Sequence, residues 1–145
     1  ITPEIFARFS EIDGVDYIKD STADPSRIEK LVGQGSKVFC GCDFLNFFAL
    51  VNGATGLFTG SGNVAPAQIR QLYDLVKSSD YGKAEKVWKK LQPISRLLWT
   101  LPFNPVAKAG SDRTGRKVGL CRMPVPPLKE HELKLVDEAV AALSA

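Results

Sequence analysis

Three short apolar runs, at residues 15–19, 37–41 and 56–59, begin near residues 15, 37 and 55 with one helical pattern between each pair. Each run is nearly continuous in apolar residues rather than alternating, which is the pattern of parallel strands buried on both faces. The intervening segments carry helix punctuation. Thr2-Pro3-Glu4 gives an N-cap, a proline at the first helical position and an acidic first turn, ahead of Ile5, Phe6 and Phe9 and a stop at Asp13-Gly14. Asp24-Pro25 opens a second helix through Ile28, Leu31 and Val32, ended by Gly33 and Gly35. Asp43 opens a third through Phe44, Phe47, Phe48 and Leu50. After Pro66 the pattern changes: residues 68–78, 81–100 and 131–143 read as helices joined by loops rich in proline and glycine.

The fold expected is α/β. A complete (β/α)8 barrel takes about 250 residues, so a barrel reading places roughly half of it outside these 145 residues. Residues 1–78 are then a partial barrel and residues 79–145 a helical region packed on it. Each strand ends in a polar turn, Lys19-Asp20-Ser21-Thr22, Gly41-Cys42-Asp43 and Gly60-Ser61-Gly62-Asn63. Those are the strand ends at which parallel α/β folds bind ligands.

Composition narrows the function classes. With 44% hydrophobic and 24% charged residues the chain is composed like a soluble globular protein. It has neither an apolar stretch approaching about 18 residues nor a signal peptide in Ile1-Thr2-Pro3-Glu4. A cytoplasmic protein without membrane contact is expected, and Ile1 in place of methionine suggests processing or a piece of something longer. A net charge of +3 is a weak basic footprint, and Lys83, Lys86, Lys89, Lys90 and Arg96 read as a solvated helix face, so no nucleic-acid partner is expected. Cys40, Cys42 and Cys121 lack metal-ligand spacing and His131 stands far from them. No metal is expected, and the thiols read as free and buried.

Lys19 ends the first apolar run. Desolvation at the mouth of a buried strand disfavours an ammonium, and that is one way to expose an amine nucleophile; a lysine whose stem packs and whose head reaches water is the plainer reading.

Three motifs in order resemble the pyruvate-dependent Schiff-base lyases that include dihydrodipicolinate synthase and N-acetylneuraminate lyase. They are Tyr17-Ile18-Lys19-Asp20-Ser21-Thr22-Ala23-Asp24, then Gly41-Cys42-Asp43, then Gly53-Ala54-Thr55-Gly56-Leu57-Phe58-Thr59-Gly60-Ser61-Gly62-Asn63-Val64-Ala65-Pro66. Tyr81-Gly82-Lys83-Ala84 resembles a helix start of that family, Asn104-Pro105-Val106-Ala107-Lys108 its loop before a late helix, and residues 122–128 its closing proline segment. The resemblance covers the whole chain but only the C-terminal half of a family member. It implies that Lys19 ends the sixth barrel strand, Gly41 the seventh and residues 58–61 the eighth, with a C-terminal helical bundle after them. It further implies that Lys19 forms an imine with pyruvate or another 2-oxo acid, in an aldol cleavage, condensation or dehydration that needs no metal or organic cofactor. Ser21 would bond substrate, Gly41 and Asp43 would meet hydroxyls of a longer substrate, and Phe58, Gly60 and Ser61 would line the carboxylate side. A homo-oligomer is implied as well.

Each residue has a plainer alternative. Asp43 reads equally as an N-cap, Ser21 and Thr22 as loop hydrogen-bonders, Gly60 and Gly62 as turn residues, and Phe44 and Phe58 as core. The family's proton-relay tyrosine and its early carboxylate-binding loop have no counterpart here, so this chain alone is expected to be inactive. Phe44 stands where sialate lyases carry a glutamate, and Tyr17 shares a strand face with Lys19 where small residues are usual. Two other readings stay open: a half barrel that oligomerises as a scaffold, and a non-catalytic protein that binds a 2-oxo acid.

Overall fold

Thr2 caps α1 (Pro3–Phe9), its hydroxyl accepting from the Ile5 amide at 3.3 Å, and Asp24 caps α2 (Pro25–Gly33) by accepting from the Ser26 amide at 2.9 Å. Both helices carry proline in the first turn, where its missing N–H leaves no bond unmade. In this computed structural model, which describes residues 1–144, the chain divides into two compact units, residues 1–59 and the residues from Gly60 on.

The first unit is built on a three-stranded parallel sheet, β1 (Tyr17–Asp20), β2 (Lys37–Cys40) and β3 (Gly56–Leu57), in that spatial order. Tyr17 pairs with Lys37, Lys19 with Phe39 and Phe39 with Gly56. Side chains alternate across a strand, so one face carries Ile18, Val38, Cys40 and Leu57. That face is covered. Leu31 and Val38 pack with Phe6 and Ile18, while Ile28, Cys40, Cys42, Ala49 and Ala54 form an adjoining cluster with Leu57 and Phe44 beneath α2 and α3 (Asn46–Val51).

The other side of the sheet is open in this chain. Tyr17 is 52% and Phe58 67% exposed, and Lys19 is exposed with them. Two expectations are corrected here. Asp43 begins a 3₁₀ turn (Asp43–Leu45) rather than the α-helix, which starts at Asn46. The third strand ends at Leu57, not at 59–61.

The second unit is helical: α4 (Ser61–Val64), α5 (Pro66–Lys77), α6 (Tyr81–Thr100), α7 (Phe103–Arg113) and α8 (Glu130–Ala141). Leu72, Leu91, Ile94, Val106 and Val136 are fully buried in it. Residues 104–108, read from the sequence as a loop, lie inside α7. Pro105 is tolerated because it sits in the first turn, and Gly110 does not end the helix: a Cβ there would lie 2.8 Å from Val64, so the absent side chain makes room for packing. Among the described residues no helix is long and apolar enough to cross a membrane.

Leu31, with no exposed surface, sits between the sheet and α1. Leu31→Ala is expected to cost about 2–5 kcal/mol, read as a lowered urea midpoint, whereas Val51→Ala, at an exposed position, should change stability by under about 0.5 kcal/mol.

Candidate functional site

Tyr17, Lys19 and Ser21 alternate along the open face of β1 and its exit, beside Phe39 of β2 with Gly41 just past its end, and Gly56 of β3 with Phe58 just past its end. The Lys19 amine stands over the Phe58 ring, Nζ 4.8 Å from the centroid. A cation–π contact at so exposed a ring contributes about 0.5–1 kcal/mol, enough to bias where the amine rests. Ser21 Oγ donates to the Gly41 carbonyl at 3.4 Å. Gly41 leaves space that the lysine stem occupies: a Cβ built on it would fall on Ser21 Oγ and 2.5 Å from Lys19 Cε. Below this level the Phe39 ring lies over Gly56 and packs on Tyr17 with centroids 5.6 Å apart, and Lys37 Nζ stands 4.9 Å from the Tyr17 centroid.

On the covered face the end of β1 is tied to α2 by Asp20. This carboxylate is buried, accepts from Arg27 Nε, and accepts from the Thr22 hydroxyl at 2.7 Å and the Thr22 amide at 3.0 Å. Arg27 also donates to the Ile1 carbonyl at 2.6 Å. Asp20 thereby fixes the turn that follows Lys19.

The structure thus brings Lys19, Ser21, Gly41 and Phe58 together. Asp43 is buried and accepts a hydrogen bond from the Thr59 hydroxyl, which in turn accepts from Asn46 Nδ2 at 2.9 Å. The N-cap position of its turn belongs to Cys42, and the Asp43 carboxylate reaches Thr59 at the exit of the third strand. Phe44 packs on the helix-side core, whereas Phe58 does not. Gly60 and Ser61 belong to the second unit. Gly60 precedes α4 with φ −70°, using none of glycine's freedom, and Ser61 is fully buried. In that unit Arg116 donates to the Asn63 and Val64 carbonyls at 3.2 and 2.7 Å, and Ser111 to Asn63 at 3.2 Å, holding the end of the turn.

Phe39, Thr59 and Asn46 were not singled out from the sequence. Strand alternation could have placed Phe39 beside Lys19, two residues before Gly41; nothing local marks Asn46 or the Asp43 to Thr59 bond, which joins residues that the fold brings close. Among the described residues no group of three or more His, Cys, Asp or Glu could hold a metal ion.

Residues 1–143 match the profile of the Dihydrodipicolinate synthetase family. The chain is 34% identical over 152 aligned positions to the 4-hydroxy-tetrahydrodipicolinate synthase of Bartonella tribocorum, covering 95% of this chain and 47% of that protein. It is 27% identical to the enzyme of that name from Archaeoglobus fulgidus, covering 98% and 50%. The crystal structure of dihydrodipicolinate synthase from Thermotoga maritima superposes with a TM-score of 0.90 at 26% identity, covering 98% of this chain and 50% of that one. The chain therefore spans about half the length of the relatives it matches.

Burial pushes the Asp20 pKa up, but the hydrogen bonds from Thr22 and Arg27 outweigh it and hold the carboxyl below its ordinary 3.8. A lowered native value means that the stabilisation is complete above pH 3.8 and is lost as pH falls through that native value. Asp20→Asn should cost about 1–3 kcal/mol at neutral pH and flatten the acid limb of stability, read by urea unfolding from neutral pH downward. Burial, then the neighbouring Cys40, Asp43 and Asp20, push the Cys42 thiol up to about 12, and burial raises Cys40. Thiol titration of the native protein should modify Cys121, which is partly exposed, and reach Cys40 and Cys42 only after denaturant is added.

Proposed function

Because the chain belongs to the Dihydrodipicolinate synthetase family, we propose that Lys19 is the amine nucleophile of a class I lyase acting on pyruvate or a related 2-oxo acid. The observation that supports this most is the placement of Lys19: it stands at the C-terminal end of a parallel strand, on an open face, with its stem in the space left by Gly41. The neutral amine adds to the keto carbon, the carbonyl oxygen leaves as water with both amine protons, and the imine takes up a proton from solvent to become the protonated imine. That imine accepts the electron pair when a neighbouring carbon–carbon bond breaks or a proton departs, so it lowers the barrier to an enamine. Ser21 is suited to hydrogen-bond the bound acid. On this reading Gly60 and Ser61 serve the carboxylate on the strength of the resemblance, and Asp43 acts through Thr59.

In the same reading β1, β2 and β3 are the last three strands of a (β/α)8 barrel, residues 1–78 belong to that barrel and residues 79–145 to its helical appendage. Turnover, as aldol cleavage, condensation or dehydration of a small aldehyde or sugar acid, requires the other half of the barrel and its proton-relay residue; this chain by itself forms the imine without turning over, and the assembled enzyme is an oligomer. The exposed Tyr17 and Phe58 favour one second reading, a half barrel that covers this face by self-association.

Incubation with pyruvate and sodium borohydride followed by peptide mapping is expected to give a reduced pyruvyl adduct on Lys19, absent from Lys19→Arg. An unmodified Lys19, or an adduct spread over the surface lysines, would overturn the assignment.

A further inference from the structure

We infer that Gly41 is a positioning residue that aims the Lys19 amine, rather than a contact for substrate hydroxyls; the inference rests on the reading of Lys19 as nucleophile. Gly41 is not in the left-handed region that calls for glycine, unlike Gly35 and Gly53 at φ +87° and +93°. What matters at 41 is the missing side chain. The backbone there is fixed from both neighbours: the Gly41 amide donates to the Asp20 carbonyl at 2.7 Å, and the Phe58 amide donates to the Cys40 carbonyl at 2.8 Å. Gly41 therefore cannot withdraw from β1.

The space it leaves is filled by the two side chains of interest. A Cβ at 41 would meet Ser21 Oγ, Lys19 Cε at 2.5 Å and Lys19 Cγ at 3.1 Å, and no backbone atom is among these nearest neighbours. Lys19 therefore runs through the notch at Gly41 to bring its amine over Phe58. Both obstacles are ends or stems of mobile side chains. A methyl group at 41 should leave the fold intact and turn the lysine out of the notch, separating position from stability.

The test is Gly41→Ala in the full chain. Two readouts are needed: the NMR contact between the Lys19 ε-methylene protons and the Phe58 ring, and the rate of borohydride trapping of pyruvate on Lys19. The expected result is a urea midpoint near that of the unsubstituted protein, loss of the NMR contact, and trapping slowed about a hundredfold, the scale on which small misplacements of reacting groups act. Retention of the contact with unchanged trapping would overturn the positioning role, and so would unfolding of Gly41→Ala, since the obstacles are argued to be movable. Loss of the contact in a protein whose unsubstituted form traps no pyruvate would uphold the positioning of Lys19 and sink its role as nucleophile.

Discussion

The first unit depends on the one-sided burial of its sheet. Val38 and Cys40 have no exposed surface, and Leu31 and Ile28 of α2 seal the same side. Burying such side chains contributes about 1.5–3 kcal/mol each, and it commits the backbone to one strand register. With the period of two, that commitment also decides which residues stand on the other face. Lys19 is delivered there because Ile18 and Asp20 are held on the helix side.

Asp20 is the second half of this arrangement. A carboxylate taken out of water is destabilising unless its lone pairs are met, and here Thr22 and Arg27 meet them. The residue next to the lysine thus binds the strand exit to a helix, so the Ser21 hydroxyl leaves the strand in a fixed direction. Chemistry and scaffold sit on consecutive residues, facing opposite ways.

Much of this was legible in the sequence where the signal is local. Thr2-Pro3 and Asp24-Pro25 mark helix starts because capping is a short-range hydrogen bond, and the strands announce themselves by continuous apolar residues. Lys19, Ser21, Gly41 and Phe58 stand in motifs at the strand ends, and the fold brings them side by side. What escaped depends on neighbours distant in sequence. Gly110 stays inside α7 because Val64, far along the chain, packs where its side chain would be. For Asp43, read equally as a cap and as a substrate contact, nothing local shows Thr59 reaching it from beyond the end of β3. The open face of Tyr17, Lys19 and Phe58 carries residues suited to meet a covering surface, because apolar strand composition reports what a face is suited to meet rather than what meets it.

Gly41 and Gly56 have a shared consequence. Each is a blank opposite a side chain that leans across from the neighbouring strand, Lys19 with Ser21 over one and Phe39 over the other. Substitution at these positions is therefore coupled in pairs: a larger residue at 56 becomes tolerable when 39 shrinks, and one at 41 when 19 and 21 are altered together. Among sequences sharing this fold, such pairs should change in concert, and position 41 should drift freely only in lineages whose lysine has been given up.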